Sequence, residues 1–248
     1  MTKFRSLAFA ALVAPLALGL AACDSTEGDD VAEAEVIAPI DAPEGSEWID
    51  VTSVSEYDGY ILGNPDAPIK LVEYASLTCP ACAAFAAQGS EELKTKFVNS
   101  GRVSYELRNQ IHGPHDLALA TMVRCGEKEA FHPLSDQVWA NLNGLITPII
   151  ENQDAVQAAF GLAPDQRMVK IAEIGGYYDF FAARGLSADQ ARQCLANEET
   201  YSAIAERSTQ QSQEFGVEGT PTFFLNGKKI DSNSWDSIKV LIEKAGAR

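Results

Sequence analysis

This sequence predicts an α/β fold interrupted by a helical insertion, on three observations. A strand-like apolar run, residues 69–76 (IKLVEYAS), leads directly into Cys79-Pro80-Ala81-Cys82, and an alanine-rich helical run, 83–97, leads away from it. About ninety residues of helical spacing come after the next strand, which is too much helix for a simple crossover. Two short strands around Asn226-Gly227, a strong two-residue hairpin signal, then close the chain before a last helix.

The chain has 248 residues and 46% hydrophobic content, enough for one large domain or two small ones with a sizeable core. Its formal net charge of −16 excludes nucleic acid as a partner, because phosphates would be repelled. The N-terminus reads as a targeting signal, residues 1–22. Lys3 and Arg5 precede an apolar run, 7–22, that Pro15 interrupts and that is short for a membrane span. It ends Leu20-Ala21-Ala22-Cys23, which resembles the bacterial lipoprotein cleavage box. That likeness implies a lipid on Cys23; the alternative is ordinary cleavage nearby, leaving a free thiol. Asp24 resembles the signal that retains such lipoproteins at the inner membrane. Residues 24–47 are acidic, with Ala, Pro and Gly and no useful period, so a flexible tether is expected over 23–50, with the folded domain at 51–248.

Residues 48–63 hold at most a short edge strand, and Gly63-Asn64-Pro65-Asp66-Ala67-Pro68 is a turn cluster. The run 69–76 is apolar on both faces, as a central strand should be, with Glu73 the exception. The acid either points to solvent at the strand's end or lies buried beneath the cysteines.

Two cysteines two residues apart at a strand-to-helix junction suit reversible thiol–disulfide exchange. Cys79 sits at the helix start, where backbone N–H groups and the helix dipole favour a thiolate. Pro80 fits the first helical position, where its missing N–H would have no partner anyway. Cys82, Phe85, Gly89, Leu93 and Phe97 recur at steps of three and four, one helix face that should pack on the sheet. Cys82 is therefore expected inward and Cys79 outward. C-x-x-C is also half of many zinc sites, but zinc needs a second ligand pair, and Cys125 and Cys194 stand alone. His112, His115 and His132 have no matched spacing to acids or cysteines. They are given no role, with His112 and His115 expected exposed in a loop around Gly113-Pro114.

Residues 102–109 alternate as a strand, with Val103, Tyr105 and Leu107 on one face. Helical spacing follows over 116–125, 131–142, 154–160, 165–184, 187–195 and 198–215, an insertion of about 114–215. Strands are expected over 222–225 and 228–230, and a final helix over 234–247 with Ser234 as its cap.

Four features together resemble the DsbA-like thiol–disulfide oxidoreductases of the thioredoxin superfamily, over about residue 59 to the C-terminus. They are the strand acid Glu73 six residues before Cys79, the C-P-x-C helix start, the long helical insert and the late Gly219-Thr220-Pro221-Thr222. The resemblance implies a thioredoxin fold and a Cys79–Cys82 redox pair acting on reduced or unfolded exported proteins. It also implies a buried Glu73 that relays protons for Cys82. A cis Thr220-Pro221 bond would face the cysteines and turn the Thr220 backbone toward an extended substrate, as an added strand would. No organic cofactor is implied. The expected protein is a monomer on the periplasmic side of the inner membrane, donating disulfides and reoxidised by a DsbB-like membrane partner. Thr220 before the proline instead resembles the isomerase branch, so a reductase or isomerase served by a membrane reductant is the near alternative. The tether is too short for a dimerisation domain of that branch. A metal-binding, non-enzymatic lipoprotein is the distant alternative.

With Cys23 lipidated and Cys79 paired with Cys82, elimination pairs Cys125 with Cys194 as a structural disulfide, in an export compartment that permits one. Two separately buried thiols, or a second redox pair relaying to Cys79–Cys82, are the alternatives.

Overall fold

The structure, a computed structural model, describes residues 33–248. The apolar leader, Cys23 and Asp24 lie outside the described residues. A six-stranded sheet carries the site. Its strands are β1 (Thr52–Val54), β2 (Tyr60–Leu62), β3 (Ile69–Ala75), β4 (Val103–Asn109), β5 (Thr222–Leu225) and β6 (Lys228–Ile230), in the order β1-β2-β4-β3-β5-β6. β3 and β4 run parallel in a register that sets Leu71 beside Tyr105 and Glu73 beside Leu107. All other neighbours are antiparallel, and Glu73 faces Phe223 across β5.

Side chains alternate across a strand, so Leu71, Glu73, Tyr105, Leu107, Phe223 and Leu225 share one face. Helix α1 (Pro80–Glu92) lies over that face with Cys82, Phe85 and Gly89 buried, and a wider turn, Leu93–Val98, continues it. The Phe85 and Phe223 rings meet at 4.5 Å. The last helix, Trp235–Lys244, begins with Ser234 accepting from the Ser237 N–H and buries Trp235 against α1.

The insertion is eight helices: α2 (Pro114–Val123), α3 (Phe131–Ala140), α4 (Leu142–Glu151), α5 (Gln153–Ala159), α6 (Pro164–Gly175), α7 (Tyr177–Ala182), α8 (Ala188–Ala196) and α9 (Glu198–Phe215); the last helix is α10. Ser187 and Gln190 form a reciprocal capping box at α8, and Asn197 caps α9. The single helix expected over 165–184 is two. Gly176 sits in the left-handed region at φ 69° and turns the chain between α6 and α7. Helix α4, over a stretch without an expected element, forms despite Pro148. Its Leu142, Leu145 and Ile149 bury one stripe, so tertiary packing overrides the weak local preference.

Two further expectations are corrected. The tether expected over 23–50 is docked from residue 33 onward. The N–H groups of Ala34 and Ile37 donate to the Lys244 and Gly246 carbonyls at 2.8 and 2.9 Å, and that of Ile40 to Ser100 O at 2.9 Å. The segment gives partners to carbonyls that the end of α10 leaves open, which composition does not reveal. The β4 alternation predicts one buried face, yet all seven β4 residues are buried. On the second face Arg108 donates to Glu106 at 2.7 Å and to the Tyr74 hydroxyl at 2.7 Å, under the Tyr57 ring. The ion pair and its hydrogen bonds offset the cost of burying these charges.

Gly89 of α1 lies against the Trp235 ring of α10. A methyl group there would lie 2.5 Å from the Trp235 ring, which is buried and held by its Nε1–H donating to Glu92 at 3.0 Å. Alanine would gain about 1 kcal/mol of helix propensity, but overpacking a core costs roughly 1–3 kcal/mol. Gly89→Ala should therefore lower the denaturation midpoint in urea; an unchanged or raised midpoint would mean that Trp235 yields freely.

Candidate active site

The chain leaves β3 and turns through Ser76, Leu77 and Thr78 into the first turn of α1. Cys79 is the N-cap, in extended conformation at φ −88° and ψ 120°, and its sulfur accepts from the Cys82 N–H at 3.4 Å. Pro80 occupies the first helical position. One turn on, Cys82 is fully buried, whereas Cys79 keeps 8% of its surface. Cys79, expected outward, is thus itself buried apart from that small exposed fraction. The Thr220-Pro221 bond is cis, and the Cys79 thiol donates to the Thr220 carbonyl at 3.3 Å. Cys79 and Cys82 are unbridged.

The environment drives the two thiols apart. Cys79 is lowered to about 5, first by the Cys82 thiol donating to its sulfur and then by Thr220 and the backbone N–H groups of Cys82 and Ala81, against the opposing effect of burial. Cys82 is pushed far up, by burial first, then by giving its hydrogen bond to Cys79 and by the nearby Glu73 charge. Glu73 lies fully buried on the sheet face beneath α1. Desolvation raises its carboxyl to about 8, partly countered by the hydrogen bond that the Tyr105 hydroxyl donates to Oε2. Its Oε1 has no hydrogen-bond partner among the described residues. A carboxyl in that state holds a proton at neutral pH and can exchange it. One activated sulfur, one shielded sulfur and a buried proton store make an arrangement able to open and close a disulfide.

The helical insert supplies groups that sequence reasoning did not single out. Trp139, on α3, donates from Nε1 to Ser76 O at 3.0 Å. Asp116, on α2 and fully buried, accepts from the Ser76 hydroxyl at 2.7 Å, the Leu77 N–H at 3.0 Å and the His112 N–H at 2.9 Å. The exposed His112 ring lies 3.3 Å from the Thr220 hydroxyl, so this histidine reaches the site after all. His115 is half-buried within α2, not in a loop, and His132 is buried with Nε2 3.0 Å from Tyr60 O. An aspartate in the first turn of an expected helix was the only local signal for any of these; their convergence exists only in the fold. Cys125 and Cys194 are joined by a disulfide with 5.9 Å between Cα atoms, fastening the end of α2 to α8.

A family model described as Thioredoxin matches residues 55–244. A Rickettsia conorii protein, named provisionally as a protein-disulfide oxidoreductase, is 27% identical over 198 residues, 79% of this chain; the chain spans 64% of that relative's length. Disulfide bond formation protein D of Bacillus subtilis is 24% identical over 187 residues, 74% of this chain and 75% of that one. Among solved structures, a protein-disulfide isomerase from Novosphingobium aromaticivorans superposes with a TM-score of 0.69 at 30% identity, covering 74% of this chain and 94% of that one. Wolbachia pipientis alpha-DsbA1 shares the fold, with a TM-score of 0.61 at 21% identity over 78% of this chain and 93% of its own.

The Cys82 thiol is the largest of the influences that lower Cys79. Alkylation of reduced wild-type protein by iodoacetamide should therefore reach half its maximal rate near pH 5, and Cys82→Ala should move that midpoint to higher pH. An unmoved midpoint would assign the low value to the helix start alone.

Proposed function

The chain belongs to the DsbA-like branch of the thioredoxin superfamily, and on that premise we propose that it is a thiol–disulfide oxidoreductase that donates disulfides to exported proteins. The observation that carries the direction is the Cys79 thiol lowered to about 5 while it keeps a small exposed fraction. A thiolate that stable is a good leaving group and favours the reduced enzyme, which makes the disulfide form the stronger oxidant.

In the oxidised protein a substrate thiolate attacks Cys79 Sγ. The new S–S bond forms as the Cys79–Cys82 bond breaks, and the electron pair leaves on Cys82. Cys82 is pushed so far up that it must take a proton, and the buried Glu73 carboxyl is the proton store beside it. The second substrate thiolate then attacks the substrate sulfur of the mixed disulfide. Cys79 leaves as a thiolate, the substrate carries a disulfide and the enzyme has gained two electrons. The Thr220 backbone next to Cys79 offers a strand-like edge for an extended substrate.

Reoxidation by a DsbB-like membrane partner, a lipid on Cys23, attachment to the periplasmic side of the inner membrane and a monomeric state complete the proposal. They rest on the N-terminal signals and on the branch. A second reading, disulfide isomerase or reductase kept reduced by a membrane donor, is favoured by Thr220 and by the 30% identical structure named a protein-disulfide isomerase. Equilibration of Cys79–Cys82 in glutathione buffers separates the two. An oxidising potential near that of DsbA, about −120 mV, supports donation, and one near that of thioredoxin, about −270 mV, supports the reductase.

Cys79→Ser should abolish exchange, while Cys82→Ser should trap substrate proteins as mixed disulfides on non-reducing gels. Trapping by Cys79→Ser alone would reverse the two roles. The Cys125–Cys194 bridge closes a loop of 69 residues, worth at most roughly 4 kcal/mol on chain-entropy grounds. Cys125→Ser should lower the melting temperature and leave exchange intact; lost exchange at unchanged stability would make that bridge a relay.

A further inference from the structure

Asp116 has no part in the exchange steps, yet its buried carboxylate joins pieces of the site that are far apart in the chain. Both carboxylate oxygens are used. Oδ1 accepts from Leu77 N–H, and Oδ2 accepts from the Ser76 hydroxyl and from His112 N–H. Ser76 and Leu77 are the turn that delivers Cys79. His112 continues the chain of contacts through Nε2 to the Thr220 hydroxyl, and the Thr220 side chain is among the groups that lower Cys79, whose sulfur lies 3.3 Å from the Thr220 carbonyl. The contacts close a ring from Cys79 through Thr220, His112 and Asp116 to the Ser76–Leu77 turn and back along the backbone to Cys79. The pairing of β5 with β3 ends at Thr222 beside Tyr74, two residues after Thr220.

We infer that Asp116 and His112 form a positioning bridge, anchored in the helical insert, that holds the Thr220 loop against Cys79 and so sets both the reactivity of the sulfur and the seat of the substrate backbone. The inference rests on the exchange reading for its use but not for its geometry. The bridge needs three acceptor sites, which the ionised carboxylate supplies and an amide does not. Burial is the main influence on Asp116 and raises it to about 6, opposed by the three hydrogen bonds and the His112 charge. The other titratable groups near it are Tyr177, reaching from α7 with its hydroxyl unpartnered among the described residues, and His115 on its own helix. Below about 6 the carboxyl gains a proton and one of its three donors loses its acceptor.

The test is a double-mutant cycle on the full chain. The variants are Asp116→Asn, His112→Ala and their combination, read at pH 7.5, where Asp116 is ionised, by the equilibrium constant of Cys79–Cys82 with glutathione. His112 is exposed, so its substitution leaves the fold intact and keeps the experiment usable if Asp116→Asn folds poorly. Each single variant should make the protein less oxidising, lowering the constant by about three-fold or more, and the double variant should do no more than the stronger single one. If His112→Ala leaves the constant where it was, or the two effects add, there is no bridge and Asp116 only stabilises the fold. Equilibration with glutathione needs no protein substrate, so failure of the exchange reading would appear separately, as wild-type protein that equilibrates with glutathione and does not oxidise reduced test proteins.

Discussion

The seating of α1 on the sheet is the constraint on which the rest depends. Cys82, Phe85 and Gly89 face the strands, and Trp235 closes over Gly89 from α10. With that face buried, Cys79 can only be the N-cap, at the one end of the helix where unpaired N–H groups point outward. Two thiols in one helical turn thereby meet opposite surroundings. One receives hydrogen bonds at the start of the helix. The other gives its hydrogen bond away in a dry interior, above a carboxyl that has itself lost its water. The same desolvation that penalises charge on Cys82 and Glu73 makes every donor aimed at Cys79 more effective.

The helical insert contributes to the site as well as to the core. Asp116 and Trp139 hydrogen-bond the Ser76–Leu77 turn, and the Cys125–Cys194 bridge fastens the end of α2, which carries Asp116, to α8. The turn before Cys79 is thus set by two independent layers. A sheet alone could deliver the cysteine, but the insert fixes its angle.

The opposite face of the sheet shows a different solution to burial. Glu106 and Arg108 are paired, hydrogen-bonded to Tyr74 and Ser55, and roofed by Tyr57. Every charge there has a partner, whereas Glu73 on the first face keeps one oxygen without any among the described residues. A fully satisfied acid is locked in one state, and a partly satisfied one can change state. The contrast between two buried glutamates on adjacent strands separates a structural carboxylate from one suited to proton traffic.

Local patterns carried much of this protein. The apolar run into Cys79-Pro80-Ala81-Cys82 set the strand, the helix start and the inward cysteine, because each is a near-neighbour effect of backbone geometry and periodicity. Asn226-Gly227 and the Ser187 and Ser234 caps located their elements for the same reason. Helix α4 escaped because Gly144 and Pro148 obscure a stripe that only its partners make favourable, and the docked segment from residue 33 escaped because its partners lie at the other end of the chain. The bridge from Asp116 through His112 to Thr220 spans more than a hundred residues of sequence. Which polar groups meet at such distances depends on how the insert packs against the sheet, and no period or spacing along a single chain encodes that packing.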